Sequence, residues 1–170
     1  MWLEVIELPY AGDSLSMFII LPDRPTTLAE LENSLTFDDL VNVRQKFQMT
    51  SGQVTLFLPK FRLDERLSLA QLLTAMGMRD LFTEGVADLS GIDGSRELYV
   101  SEVLHRAVVE VNEEGTEAAA ATAVVCEEYF ASVDTPRVFR ADRPFLFFIQ
   151  HRATKSVLFL GRLVKPPTVQ

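Results

Sequence analysis

Few residues of this chain carry chemistry as a set. Ser101 and His105 stand four positions apart and acids abound, yet neither residue sits in a nucleophile elbow or another catalytic signature. Cys126 is the single cysteine, so no intrachain disulfide can form, and with only His105 and His151 beside it a Cys/His metal cluster cannot be assembled. As a nucleophile Cys126 is poorly placed, because Glu127 and Glu128 raise the pKa of its thiol. It reads as an exposed thiol without an assigned role. The expectation is a protein that is not an enzyme and that uses no cofactor and no metal.

The stretch from Glu113 to Phe130, EEGTEAAAATAVVCEEYF, raises a different possibility. Alanine and glutamate favour a helix over residues 116–123, but the segment lacks the apolar stripe that would dock one. As a strand it would place Thr116, Ala118, Ala120, Thr122 and Val124 on one face, while Glu117 falls on the other. Such a face can enter a crowded sheet without overpacking it. From composition alone the stretch reads first as a plain surface linker and second as a segment able to become a strand.

The elements around it are short and mostly β. Residues 3–21 read as a hairpin turned at Ala11–Asp13, and Leu28, Leu31 and Leu35 follow capping-type threonines at helical spacing. TFDDLVNVRQKF is a second helix candidate, GQVTLFLPKFRL a strand interrupted at Pro59, and SLAQLLTAMGM a helix opened by Ser68 and closed near Gly77. Residues 98–111 are strand-like, and PFLFFIQHR and KSVLFLGRLV are the last two strands. The fold class is α+β with β dominant. A length of 170 residues at 48% hydrophobic content suits one globular domain with a real core. The net charge of -8 argues against nucleic acid or an anionic membrane surface as partner and leaves protein as the expected one. No apolar run is long enough to span a bilayer, and MWLEVIELPY carries no basic end before an apolar block.

Several motifs in order resemble one family over essentially the whole chain. VVEVNEEGTEAAAATA is similar to the hinge of the reactive-centre loop of inhibitory serpins, and FRADRPFLFFIQHRATKSVLFLGRLVKP to the family's C-terminal signature. LPYAGDSLSMFIILP, LPKFRLD, LAQLLTAMGMRDLF and ADLSGI precede both in the expected order. The resemblance implies the C-terminal portion of a single serpin domain over residues 1–170, with strands of sheets A, B and C, a few short helices and the reactive-centre loop with its hinge at 113–135. Serpins are roughly twice this length, so the expectation is one portion of a longer protein.

What the resemblance implies is suicide inhibition of a serine protease. The protease cleaves the loop and is held as a covalent acyl-enzyme while the loop inserts into the central sheet of a metastable fold. Its hinge would be Glu113, Glu114, Gly115, Thr116, Glu117, Ala118, Ala119, Ala120, Ala121, Thr122 and Ala123, with no proline or bulky residue to obstruct entry. Counting roughly fourteen residues from the hinge glycine places the reactive bond at Tyr129–Phe130. An aromatic there suits chymotrypsin-like proteases of the cathepsin G or chymase type. A count one residue shorter would offer Glu128 to an acid-preferring, granzyme B-like protease. His105 matches a family histidine that hydrogen-bonds across the sheet opening, the alternative being a satisfied core histidine. Lys60 and Glu113 match a pair that bridges the point where insertion begins. The family's usual heparin-binding helix lies outside these motifs, so a glycosaminoglycan partner stays open. The aromatic site suits extracellular proteases, which makes secretion the expectation. The cytoplasm is the alternative, because the FLFFIQH ending also resembles intracellular ovalbumin-type serpins. A noninhibitory binding serpin, or an inactive fragment, is the alternative function.

Overall fold

The structure, a computed structural model, describes residues 3–24, 26–113 and 137–165. In chain order the elements are β1 (Leu3–Pro9), β2 (Leu15–Pro22), α1 (Leu28–Ser34), α2 (Phe37–Val41), α3 (Val43–Lys46) and β3 (Val54–Phe57), followed by β4 (Phe61–Ser68) and α4 (Ala70–Ala75). A 3-10 turn (Asp80–Phe82), α5 (Ser90–Asp93), β5 (Leu104–Val111), β6 (Arg137–Arg140), β7 (Phe145–His151) and β8 (Val157–Leu163) complete them. The content is α+β with strands dominant, and two compact units divide the chain: Met1–Phe61 with Val111–Gln170, and Arg62–Glu110.

The first unit is built on an antiparallel sheet in the order β1-β2-β7-β8. β1 and β2 form the expected hairpin, whose turn runs through the positive φ of Gly12 (81°) and Asp13 (55°), conformations that glycine and aspartate tolerate. The inner strands β2 and β7 are buried along nearly their whole length, so their apolar residues serve both faces. Phe18, Ile20, Leu146 and Phe148 point toward Leu31, Leu40 and Val43 of the helices. The Phe18 and Phe148 rings, neighbours in register, stack at 4.9 Å and 14°. On the opposite face Phe61 meets the rings of Phe145 at 6.0 Å and Phe147 at 5.5 Å. Each such buried side chain contributes on the order of 1.5–3 kcal/mol.

α1 opens with a capping box, Thr27 accepting from the Glu30 N–H at 3.2 Å while the Glu30 carboxylate accepts from the Thr27 N–H at 2.7 Å. The second helix candidate divides at Asn42 into α2 and α3. Gln150, buried on β7, donates through Nε2 to the carbonyls of Leu40 (3.2 Å), Val41 (3.4 Å) and Lys155 (3.2 Å), which fixes that division against the β7–β8 turn. β3 and β6 form a separate parallel pair with Val54 opposite Arg137.

In the second unit β4 pairs with β5. Two sequence expectations are corrected here. Ser68 does not open the α4 helix: it is the last residue of β4, and the N-cap position is Leu69, without a side-chain cap. The strand expected from residue 98 begins at Leu104, because Val100 turns its N–H to the Leu81 carbonyl at 3.0 Å instead of to a neighbouring strand.

Candidate functional site

β5 carries the chain toward Glu113, and β3 leads through Pro59 to Lys60. In the first unit these two side chains meet as an ion pair between Lys60 Nζ and Glu113 Oε2. The hydrogen bond from Lys60 holds the Glu113 carboxyl below its ordinary value, against a smaller opposing effect of desolvation. Both side chains are more than half exposed, at 62% and 73%, so water screens the pair and its geometry matters more than its energy. It is a surface clasp between the segment after β3 and the end of β5.

His105 lies in the second unit on β5, exposed, and its side chain has no hydrogen-bond partner among the described residues. Its neighbour Arg106 grips Asp64 of β4 through two parallel bonds, Nε to Oδ1 at 2.7 Å and Nη2 to Oδ2 at 2.5 Å. That fork lowers the Asp64 carboxyl from its ordinary value and raises the Arg106 guanidinium. Arg62 and Glu110 add a longer contact at 3.4 Å. The sequence reading missed the Asp64–Arg106 fork, because opposite charges 42 residues apart become partners only once β4 and β5 are paired.

Ser101 precedes β5 in irregular backbone while His105 stands within the strand, so the two share no helical face. His151 is tied into the β7–β8 turn, its Nδ1 lying 2.8 Å from Thr154 Oγ1. Among the described residues no cluster of three His, Cys, Asp or Glu could hold a metal. No helix of the described residues is long and apolar enough to cross a membrane. The hinge from Glu114 to Ala123, Cys126, Glu128 and the Tyr129–Phe130 bond lie outside the described residues.

The family profile described as serpin (serine protease inhibitor) matches residues 1–166. The chain belongs to the serpin family. Among curated serpins it is 45% identical over 167 residues to leukocyte elastase inhibitor from Bos taurus, covering 96% of this chain and 44% of that protein. Serpin B8 from Bos taurus is 45% identical over 163 residues, covering 96% of this chain and 43% of its own length. Among solved structures, uncleaved ovalbumin superposes with a TM-score of 0.77 at 35% identity, over 96% of this chain and 39% of that one. A thyroxine-binding globulin complex with thyroxine superposes at 0.75 and 28% identity, over 98% and 42%. This serpin chain thus spans less than half the length of the curated relatives it matches, and its fold is that of a serpin's C-terminal portion.

Proposed function

We propose that the protein containing this chain inhibits serine proteases as a suicide substrate, and that residues 113–135 are its reactive-centre loop. The observation that carries the reading is the run from Gly115 to Val125, small or β-branched at every position but Glu117, which follows β5 directly after the Lys60–Glu113 clasp. Residues of this size can add a strand to a sheet, whereas a charged residue on the buried face would resist burial. The names of the relatives support protease inhibition in general. The finer specificity is this chain's own: Tyr129 before the bond favours proteases with a deep apolar primary pocket, of cathepsin G or chymase type, and Glu128 is the alternative. In this mechanism the hydrolytic machinery belongs to the protease, which attacks the Tyr129 carbonyl and is held as a covalent acyl-enzyme.

In the test, the full protein is incubated with chymotrypsin, cathepsin G and leukocyte elastase, and resolved on a denaturing gel with mass spectrometry of the released peptide. Expected is a detergent-stable complex with the first two enzymes and a peptide beginning at Phe130. A peptide beginning at Tyr129 would move the site to Glu128. Clean cleavage without a complex would favour the noninhibitory reading, a carrier or binding serpin. Similarity to a thyroxine-binding globulin is what supports that second reading.

For location, the secreted expectation finds no support in these relatives. A cytoplasmic site is supported by the ovalbumin-type ending and by the similarity to leukocyte elastase inhibitor and serpin B8. Fractionation of cells and medium with an antibody to the chain distinguishes the two.

A further inference from the structure

The ribbon of β4 and β5 buries few of its own side chains. Along β4 only Phe61 is buried and along β5 only Val109 and Val111, while Leu104, Arg106, Val108 and Glu110 stand exposed on one face of β5. Two strands without a broad apolar face hold together only marginally in water. Besides the backbone pairing, three links cross the ribbon. The Leu69 N–H donates to the Val103 carbonyl at 2.8 Å near one end, Asp64 and Arg106 form their fork along the strands, and Arg62 meets Glu110 at 3.4 Å toward the other end.

Of the two charged links the fork is the stronger. Arg62 and Glu110 share one long contact between side chains at least half exposed, where water screens them. Asp64 is the more covered of the two acids and accepts two parallel charge-assisted bonds, a geometry that adds direction to attraction. The hydrogen bonds from Arg106, helped by the charges of Arg62 and Arg66, keep its carboxyl ionised. The fork also reads the register of the pair. A slip of β5 by one residue would turn Arg106 to the opposite face and break both bonds.

Among the described residues β5 has a strand on one edge only, so its other edge is open to a further strand. The chain runs from β5 through Glu113 straight into the small-residue stretch 115–125, and a strand formed there and paired with that edge would load the β4–β5 ribbon from the side. We infer that Asp64 and Arg106 are positioning residues for protease trapping: their fork keeps β5 fixed to β4, in register, while the reactive-centre loop enters along the opposite edge. This role rests on the suicide-substrate reading above. A ribbon that yields delays entry, and a protease held as an acyl-enzyme then has time to complete hydrolysis and leave. The fork therefore shifts the outcome of each encounter from turnover toward trapping, without touching the protease.

The test compares the full protein with Arg106→Gln, Asp64→Asn and the double variant. Thermal unfolding shows that each is folded, and any one folded single variant suffices. Amide hydrogen exchange along β5 is measured without protease, and then the moles of inhibitor needed to inactivate one mole of chymotrypsin. Expected in each variant is exchange at Ala107 and Val109 faster by about fivefold, a modest value for a half-exposed charged link. The stoichiometry roughly doubles while the rate of first attack on the loop is unchanged, because that attack precedes insertion. The double variant should be no worse than either single one, since both substitutions remove the same link. Unchanged exchange, a natural stoichiometry in the variants, or losses that add in the double variant would each overturn the role. Failure of the natural protein to trap chymotrypsin, cathepsin G or leukocyte elastase would instead end the inhibitory reading, and this role with it; a fork that fails alone shows as normal trapping by every variant.

Discussion

Gly161 shows how far a single atom matters in this core. It lies opposite Phe147 across β7 and β8, and a Cβ built on it would come within 2.6 Å of the Phe147 ring. The ring fills the space that a side chain would need. Gly161→Ala is expected to destabilise the protein by about 1–3 kcal/mol, the usual result of overpacking, measured as a lower denaturation midpoint in urea. An unchanged midpoint would mean that the ring can move aside. At Glu113 the effect is electrostatic and its sign is definite. A carboxyl whose pKa is lowered in the fold adds stability above its unfolded pKa and loses it as pH falls through the folded one. The pair therefore adds its small stabilisation at neutral pH and loses it as Glu113 is protonated in acid. Lys60→Met should return the Glu113 titration toward the ordinary carboxylate range, read from its side-chain carbonyl carbon by NMR; an identical titration in both proteins would remove Lys60 as the cause.

Elements with a local signal were readable, and those set by distant partners were not. The Thr27–Glu30 box lies within four residues, so α1 follows from its own sequence. Thr27→Ala should cost about 1 kcal/mol of stability, seen as a lower melting temperature, and an unchanged melting temperature would show the cap to be redundant. β2 and β7 were legible because unbroken apolar runs leave little choice but burial. By contrast β6 has only four residues with arginine at both ends, and it becomes a strand because β3 pairs with it in parallel. The division at Asn42 is equally non-local, enforced by a glutamine more than a hundred residues away. Residues 98–103 have strand-forming side chains, yet their backbone is bound elsewhere. The candidate site divides in the same way. The small-residue hinge is a pattern in one stretch of sequence, while the Asp64–Arg106 fork exists only through pairing.

On the scale of the whole molecule, the chain presents apolar surface that its own residues leave uncovered. Leu158, Phe159 and Leu160 in β8 are 52%, 38% and 60% exposed, and consecutive exposed apolar residues of this kind promote association. The 170-residue chain expressed alone is expected to elute from a sizing column as multimers. A clean monomer peak would show that this surface is tolerated in water. The proposed inhibition rests on whether the segment after β5 can join a sheet, and Thr116 is the position where that can be tested with one substitution. Arginine there would place a charge on the face that must be buried, and an unpaired buried charge is strongly disfavoured. The decisive measurement is the number of moles of the full protein needed to inactivate one mole of chymotrypsin, for the natural sequence and for Thr116→Arg. A value near one is expected for the natural protein, and for the variant cleavage as a substrate with no lasting inhibition. Equal stoichiometry for both would contradict loop insertion as the means of trapping.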